Sequence, residues 1–346
     1  MSVAFSTDEL YLSHEPPGGV PHPERPARLS AILGRLESTG LLARMQRLPE
    51  RDASDEELLA VHDRGVLETV QAQHAAGGGW IDADTFVGAS SPAAARRAVG
   101  AALAATWAVL DGSARSAFVA ARPPGHHATR DRSMGFCLYN QVAVAAAAAL
   151  ARGLERIAVV DWDLHHGNGT QAIFDADPRV LYVSTHAYPY YPGTGTVGER
   201  GLGEAAGTKV NIPLPHGAGD RAFLAAYGQV AVPALEAFEP ELVLVSCGWD
   251  SHARDPLGAL AVSTGGYTAV ARLILDAAER LCDGRLVAVL EGGYDEHALA
   301  CCAQALCELL LGEEPTPDPE QGAGRPEVVH EIEAVIAAAR ASAGLD

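Results

Sequence analysis

Basic residues are scarce in this chain: 25 Lys and Arg stand against 44 Asp and Glu, for a formal net charge of -19. Binding along duplex DNA or RNA requires a basic surface that neutralises phosphates, so direct nucleic-acid binding is excluded. An acidic body is better suited to attracting a cationic substrate. The six cysteines, at 137, 247, 282, 301, 302 and 307, have no C-x-x-C spacing, and several sit in apolar runs. They read as buried, reduced thiols of a cytoplasmic protein. The amino terminus has neither a basic n-region nor a long apolar h-region, so no signal peptide is expected. No apolar run reaches 18 residues without interruption, which argues against a membrane span. No internal repeat is present. What remains is a chain of 346 residues, 48% apolar, within the range of one large α/β domain.

The informative stretch is Ile157 to Gly169, IAVVDWDLHHGNG. Four apolar residues run directly into Asp161, Trp162, Asp163, Leu164, His165 and His166, the pattern of a buried parallel strand with its charges past the carboxyl end. In an open parallel sheet that edge is where ligands bind. Asp163 and His165 lie two apart and point the same way in extended backbone. A carboxylate beside an imidazole suits a divalent metal.

The same grammar recurs along the chain. Strands are expected at 117–121, 157–160, 180–185, 209–214, 242–247 and 286–290, with a short one at 3–5. Helices are expected at 55–60, 64–75, 92–110, 140–151, 169–174, 220–238, 264–281 and 296–311, with another opened by Pro26. Residues 80–91 read as a surface loop. Alternation of this kind implies parallel β units with right-handed crossovers. The strands end in His126 and His127, in Asp161, Asp163 and His165, in Ser184 to His186, in Asp250, and in Tyr294, so parallel packing gathers these groups on one edge. Asp163, His165 and Asp250 would give a three-ligand set with a position left for water. His126 and His127 suit general acid–base work, with Asp161 orienting one imidazole and Asn168 the other. The glycines before Tyr294 allow a tight turn that aims its hydroxyl at a forming oxyanion. Gly135, Phe136, Tyr190 and Tyr191 are candidates for the walls of a narrow apolar passage.

The motifs HPERPARL, RPPGHHA, GFCLYN, VVDWDLHHGNGTQ, YPGTG, GWD and EGGY occur in order between residues 22 and 295. In them the chain resembles the histone deacetylase and acetylpolyamine amidohydrolase superfamily, closest to its class II-like bacterial members. The resemblance implies a three-layer α/β arginase/deacetylase-like fold with a central eight-stranded parallel sheet between helices. It implies a single deacetylase domain over 1–346, within which 312–327, rich in Gly, Pro and Glu, reads from its composition as a tether to a terminal amphipathic helix at 328–341. It implies one catalytic zinc, or iron(II), on Asp163, His165 and Asp250, with His127 as general base and acid, His126 as its electrostatic companion and Tyr294 polarising the carbonyl. A potassium ion is implied at Asp161, Asp163, His165, Ser184 and Thr185, and a second near the backbone of Phe174. A rim aspartate that grips the substrate backbone matches Asp84, with Asp82 as rival.

Three positions stand out against the family pattern. Asn168 replaces the Asp of class I, as in class II. Tyr294 is present where weakly active class IIa enzymes carry His. His252 stands where many members have a small residue; two residues after Asp250, it is expected to lean toward the mouth and restrict the acyl group. The implied reaction is hydrolysis of the acetyl amide of acetyl-lysine in proteins or peptides, giving acetate and a free amine. The alternative substrate is a small acetylated amine such as an acetylpolyamine, for which Glu24 is a candidate gate carboxylate. A non-catalytic acyl-ligand reader and a two-manganese ureohydrolase are the remaining readings. No membrane partner is implied, and oligomeric state stays open.

Overall fold

The computed structural model describes residues 2–318 and 332–345. Eight strands form the main sheet: β1 Val3–Ser6, β2 Gln46–Arg47, β3 Ser116–Val119, β4 Ile157–Asp161, β5 Val180–Ala187, β6 Lys209–Leu214, β7 Leu242–Cys247 and β8 Leu286–Leu290. All pair in parallel, in the order β2-β1-β3-β8-β7-β4-β5-β6. Helices cover both faces, giving the three-layer α/β architecture, with a central eight-stranded parallel sheet, that the resemblance implies.

The central strands are rich in Val, Ile and Leu because both faces are covered. In β4 every residue from Ile157 to Asp161 is buried. Each fully buried Val, Leu or Ile there contributes roughly 1.5–3 kcal/mol. Strands β3 and β4 follow each other in sequence, but β8 and β7 lie between them in the sheet. The carboxyl ends of these four central strands therefore meet at one place. Register sharpens this, since Asp161 lies opposite Ser184 on one side and Ser246 on the other.

Several helices frame the site: α1 Pro26–Ser38, α2 Ser91–Leu110, α3 Gln141–Ala151, α4 Asn168–Phe174, α5 Thr264–Cys282 and α6 Glu296–Leu310. Their starts follow capping chemistry. Asn140, Ser263 and Asp295 each accept a backbone N–H of the first turn, and Pro26 opens α1 at a position whose N–H would be orphaned.

Sequence and structure differ in three places, and a fourth expectation lies partly outside the described residues. The helix expected at 220–238 is two short helices, Asp220–Ala226 and Val232–Phe238, joined by a π-turn at Tyr227–Ala231. Pro233 lacks an N–H to continue the ladder, and the wide turn accommodates the loss. The loop at 80–91 contains part of a small antiparallel pair, Gly79–Trp80 with Phe86–Val87. Strand β2, only two residues long, has no readable period. In the tether, residues 313–318 carry no helix or strand; 319–331 lie outside the described residues, as does the start of the helix expected at 328–341. That helix, α7, is seen over Ile332–Ala343 and buries Ile332, Ile336 and Ala339. All six cysteines are free and buried. Among the described residues no helix is long and apolar enough to cross a membrane.

Candidate active site

Three donors converge where β4 and β7 end. His165 Nδ1 lies 3.1 Å from Asp163 Oδ1 and 3.0 Å from Asp250 Oδ2. Both carboxylates are buried, and the three residues form a cluster able to hold a metal ion. Two glycines leave room for it. A Cβ at Gly248 would overlap Asp163 Oδ2, and one at Gly292 would overlap the carboxylates of both Asp163 and Asp250. One imidazole and two carboxylates with an open side fit a divalent ion of the zinc class. Packing two buried carboxylates against one imidazole sets up electrostatic tension within the cluster. Burial disfavours a charged His165, yet hydrogen bonds to Asp163 and Asp250 lift its pKa to about 10. Burial and the Asp163 charge raise Asp250 to about 6. A divalent cation relieves that tension directly.

The two histidines beside the cluster share a turn but not an environment. Their ring centroids are 4.0 Å apart. His126 Nδ1 lies 3.1 Å from Asp161 Oδ2, and His127 Nδ1 lies 2.8 Å from Asn168 Oδ1. Burial opposes charge on His126, but Asp163 and Asp161 hold its pKa well above the usual range. Burial, reinforced by His126 and His165, pushes His127 well below it. Asp163 and Asp161 thus favour the charged form of His126, while burial and the neighbouring His126 and His165 favour the neutral form of His127.

Tyr294, buried beside the cavity, follows Gly293, whose φ of 115° is open to glycine. Asp255 Oδ2 accepts the backbone N–H of Tyr294 at 2.6 Å and of Asp295 at 3.2 Å. Arg28 donates through Nε to Gly293 O at 2.6 Å, and its guanidinium lies 4.8 Å from the Tyr294 ring centroid. Glu291 is equally embedded. Its Oε2 accepts the N–H groups of Gly125 at 2.6 Å and His126 at 3.2 Å, which fixes the turn that carries both histidines. Asp255, Arg28 and Glu291 were not singled out in the sequence. Glu291 had a legible signal, an acid immediately after an apolar strand, as in β4.

Above this floor is a cavity of about 260 Å³. Phe136, Tyr190, Tyr191 and Leu257 line its walls, with His126, His127, His165 and Tyr294 at its base and Asp84 at its lip. Tyr190 stacks on His165 at 5.5 Å and donates its hydroxyl to Leu257 O at 2.7 Å. Tyr191 meets His127 edge-on at 5.1 Å and is 37% exposed. Phe136 has a φ of 69°, a left-handed conformation that costs about 1–2 kcal/mol for a non-glycine residue. It follows Gly135, where a Cβ would collide with the His127 ring. The backbone holds this strained turn while placing an aromatic ring in the wall.

Asp82 and Asp84 take different places in the turn. Asp82 Oδ1 accepts the N–H groups of Asp84 and Thr85 at 3.0 and 2.7 Å, whereas Asp84 reaches the cavity. His22 supports this lip, its Nε2 lying 3.1 Å from Asp84 O and its ring 4.6 Å from that of Phe136.

Around the expected potassium position, Asp161 Oδ2 accepts from Tyr182 at 3.0 Å, Ser184 Oγ lies 2.9 Å from His186 Nδ1, and Thr185 Oγ1 lies 2.9 Å from Tyr227 Oη. Near Phe174 the chain supplies its own cation. Lys209, the single lysine of the sequence, donates through Nζ to Val180 O at 2.8 Å and Asp177 O at 3.3 Å. Phe174 O accepts Asp177 N at 2.9 Å. The second ion expected near Phe174 therefore meets oxygens already served by an ammonium and an amide.

Two expectations are corrected. His252 does not line the cavity: it is buried, with Nε2 3.2 Å from Thr264 Oγ1, because a turn after Asp250 redirects the chain. Glu24 is not an exposed gate. It is fully buried between Arg28, at 2.9 Å, and Arg122, at 2.5 Å.

A parallel sheet carrying an acid–imidazole cluster at its carboxyl edge places the protein in the arginase/deacetylase class. Comparison with known proteins narrows this. The histone deacetylase domain matches residues 22–310. The chain is 41% identical over 328 residues to a histone deacetylase-like amidohydrolase of Pseudomonas aeruginosa, spanning 90% of this chain and 86% of that protein. It is 42% identical over 288 residues to a probable deacetylase of Archaeoglobus fulgidus, spanning 83% and 79%. The crystal structure of the HDA15 HD domain superposes with a TM-score of 0.88 at 35% identity, over 98% of this chain and 94% of that one. The chain belongs to the histone deacetylase family.

Proposed function

We propose that the protein is a metal-dependent deacetylase that hydrolyses the acetyl amide of N-acetyl-lysine side chains. The observation that carries this is the convergence of His127, Tyr294 and the Asp163–His165–Asp250 cluster at the base of a narrow aromatic cavity. A zinc-class ion on that cluster supplies Lewis-acid polarisation of the water and the acetyl carbonyl. His127, neutral because of its burial, accepts the proton of the attacking water at Nε2 while Asn168 holds Nδ1. The Tyr294 hydroxyl donates to the oxygen that becomes negative as the tetrahedral centre forms. His126, charged beside Asp161 and Asp163, stabilises that negative charge without leaving its place. Protonated His127 then gives its proton to the departing amine, and the C–N bond breaks to yield acetate and free lysine. Phe136 and Tyr191 exclude water from the alkyl chain, and Asp84 at the lip accepts from the backbone amide of the substrate.

The burial of Glu24 removes the one carboxylate gate the sequence offered for a polycation, which favours acetyl-lysine over acetylpolyamines. Side-by-side turnover of an acetyl-lysine peptide and an acetylated polyamine, with and without chelator, tests the reading. We expect peptide turnover that chelation abolishes and added zinc restores. A polyamine preferred over the peptide would reassign the substrate, and chelator-resistant turnover would reject the metal-dependent mechanism.

A further inference from the structure

A second cluster of metal-ligating side chains lies away from the cavity. His297 and Cys301 are one turn apart on α6 and project from the same face. The chain leaves α6, and Glu308 fixes its return by accepting the N–H of Thr316 at 2.7 Å and its hydroxyl at 2.8 Å. The segment thereby delivers Asp318 to the pair. His297 Nε2 lies 3.2 Å from Asp318 Oδ1, and Cys301 Sγ lies 3.5 Å from His297 Nε2.

We propose that His297, Cys301 and Asp318 form a structural site for a divalent ion of the zinc class, separate from the catalytic cluster. One nitrogen, one sulfur and one oxygen donor come within 4.8 Å of one another. Metal bonds of about 2.3 Å to sulfur and about 2.0 Å to nitrogen or oxygen, opened to a tetrahedral angle, separate donors by roughly 3.3–3.6 Å. The two separations from His297 Nε2, 3.2 Å to Asp318 Oδ1 and 3.5 Å to Cys301 Sγ, lie close to those edges. The other Asp318 oxygen, Oδ2, accepts from Thr264 Oγ1 at 2.7 Å, the kind of outer hydrogen bond that aims a ligating carboxylate. The Asp318 side chain is fully buried and that of His297 is 29% exposed. The Cys301 thiol loses its proton to solvent as its sulfur binds the metal, and no electron is transferred. The ion would staple the segment after α6 to the amino-terminal turns of α5 and α6.

Cobalt(II) distinguishes this site from the catalytic one, because Asp163, His165 and Asp250 include no sulfur. Full-length protein loaded with cobalt is expected to take up about two ions per chain and to show a near-ultraviolet thiolate-to-cobalt charge-transfer band. Cys301→Ser should abolish the band and leave about one ion. His297→Ala, at a partly exposed helical position, should raise the cobalt concentration needed to develop the band at least ~10-fold. Both variants should keep deacetylase turnover within about twofold. A hydrogen-bonded cluster without metal has similar spacings but gives no sulfur band. Absence of the band in the wild type, or its survival in Cys301→Ser, overturns the proposal. Failure of the catalytic reading would show instead as lost chelator sensitivity of turnover, with the band untouched.

Discussion

At the floor of the cavity, each group that the proposed function assigns to the reaction lies on the central strands or on the turns that follow them, held by hydrogen bonds. His127 has Asn168, His126 has Asp161, and the Tyr294 backbone has Asp255. At the lip, Asp84 lies half-buried in a loop, beside an exposed Asp82 that ties its own turn. The floor is preorganised by a sheet that cannot shift one strand without disturbing its neighbours. The lip rests on a two-residue ladder and a few ring contacts with His22. On the proposed function, chemistry that needs sub-ångström placement falls to the first, and recognition that tolerates adjustment to the second.

Substitution at the floor should therefore have the largest effect. His127→Ala is expected to lower kcat by about 10³-fold or more, within the range of general acid–base contributions and their coupling to the metal. His126→Ala should cost less, because its contribution is charge rather than proton transfer. Steady-state kinetics on one acetyl-lysine peptide compares the two, and a His127→Ala enzyme faster than His126→Ala would reverse their roles. Tyr294→Phe is expected to cost about 10²–10³-fold in kcat with metal content unchanged, the scale of one oxyanion donor. Near wild-type turnover would remove the hydroxyl from the reaction.

The same contrast explains what the sequence made legible. Asp161, Asp163, His165, Asp250 and Tyr294 were readable because a buried parallel strand announces its own end, and five such ends in one sheet can meet only along one edge. Their second partners were less readable. Asp255 reaches Tyr294 from 39 residues away, and Arg28 reaches the same turn from 265 residues away. Such pairings depend on tertiary packing and leave no local period. Loop geometry was least legible. His252 follows Asp250 by two residues, and the extended-chain rule aimed it at the mouth, but the turn from Trp249 to Asp255 breaks that rule. Among the wall residues, Tyr190 and Tyr191 stood out because two adjacent tyrosines in a Gly/Pro loop are poorly placed for the core, whereas Phe136 read equally well as core packing.

An intermediate effect is expected where a floor residue controls charge without touching substrate. Asn168→Asp places a carboxylate on His127 Nδ1 in place of a neutral carboxamide. An opposite charge at that distance favours the protonated imidazole by about one to three pKa units. The limb of kcat/KM that requires neutral His127 should therefore move to higher pH. An unchanged profile would show that another group sets that limb. At the lip, Asp84→Asn should raise KM by about 10-fold with kcat nearly unchanged, as expected for one hydrogen bond to a charged group at a half-solvated site. Asp82→Asn keeps an oxygen for the turn and should change KM less. Equal effects of the two would erase the distinction between gripping and shaping.

The smallest effect is expected at His252, and it bears most directly on how floor and lip divide the work. Its ring is buried against Thr264 rather than lining the cavity, with Nδ1 accepting Arg254 N at 3.2 Å. Burial lowers its pKa to about 4, so it is neutral at working pH and contributes no charge to the mouth. Replacing it with alanine removes a buried polar contact and leaves a small void, which should cost stability on the order of 1–3 kcal/mol. It should not change the space available to the acyl group. His252→Ala is therefore expected to lower the melting temperature while the ratios of kcat/KM for acetyl, propionyl and butyryl forms of one peptide stay within about twofold of wild type. A selective gain for butyryl would mean that the turn after Asp250 opens toward the cavity during catalysis. The division between a rigid floor and an adjustable lip would then have to include this turn on the adjustable side.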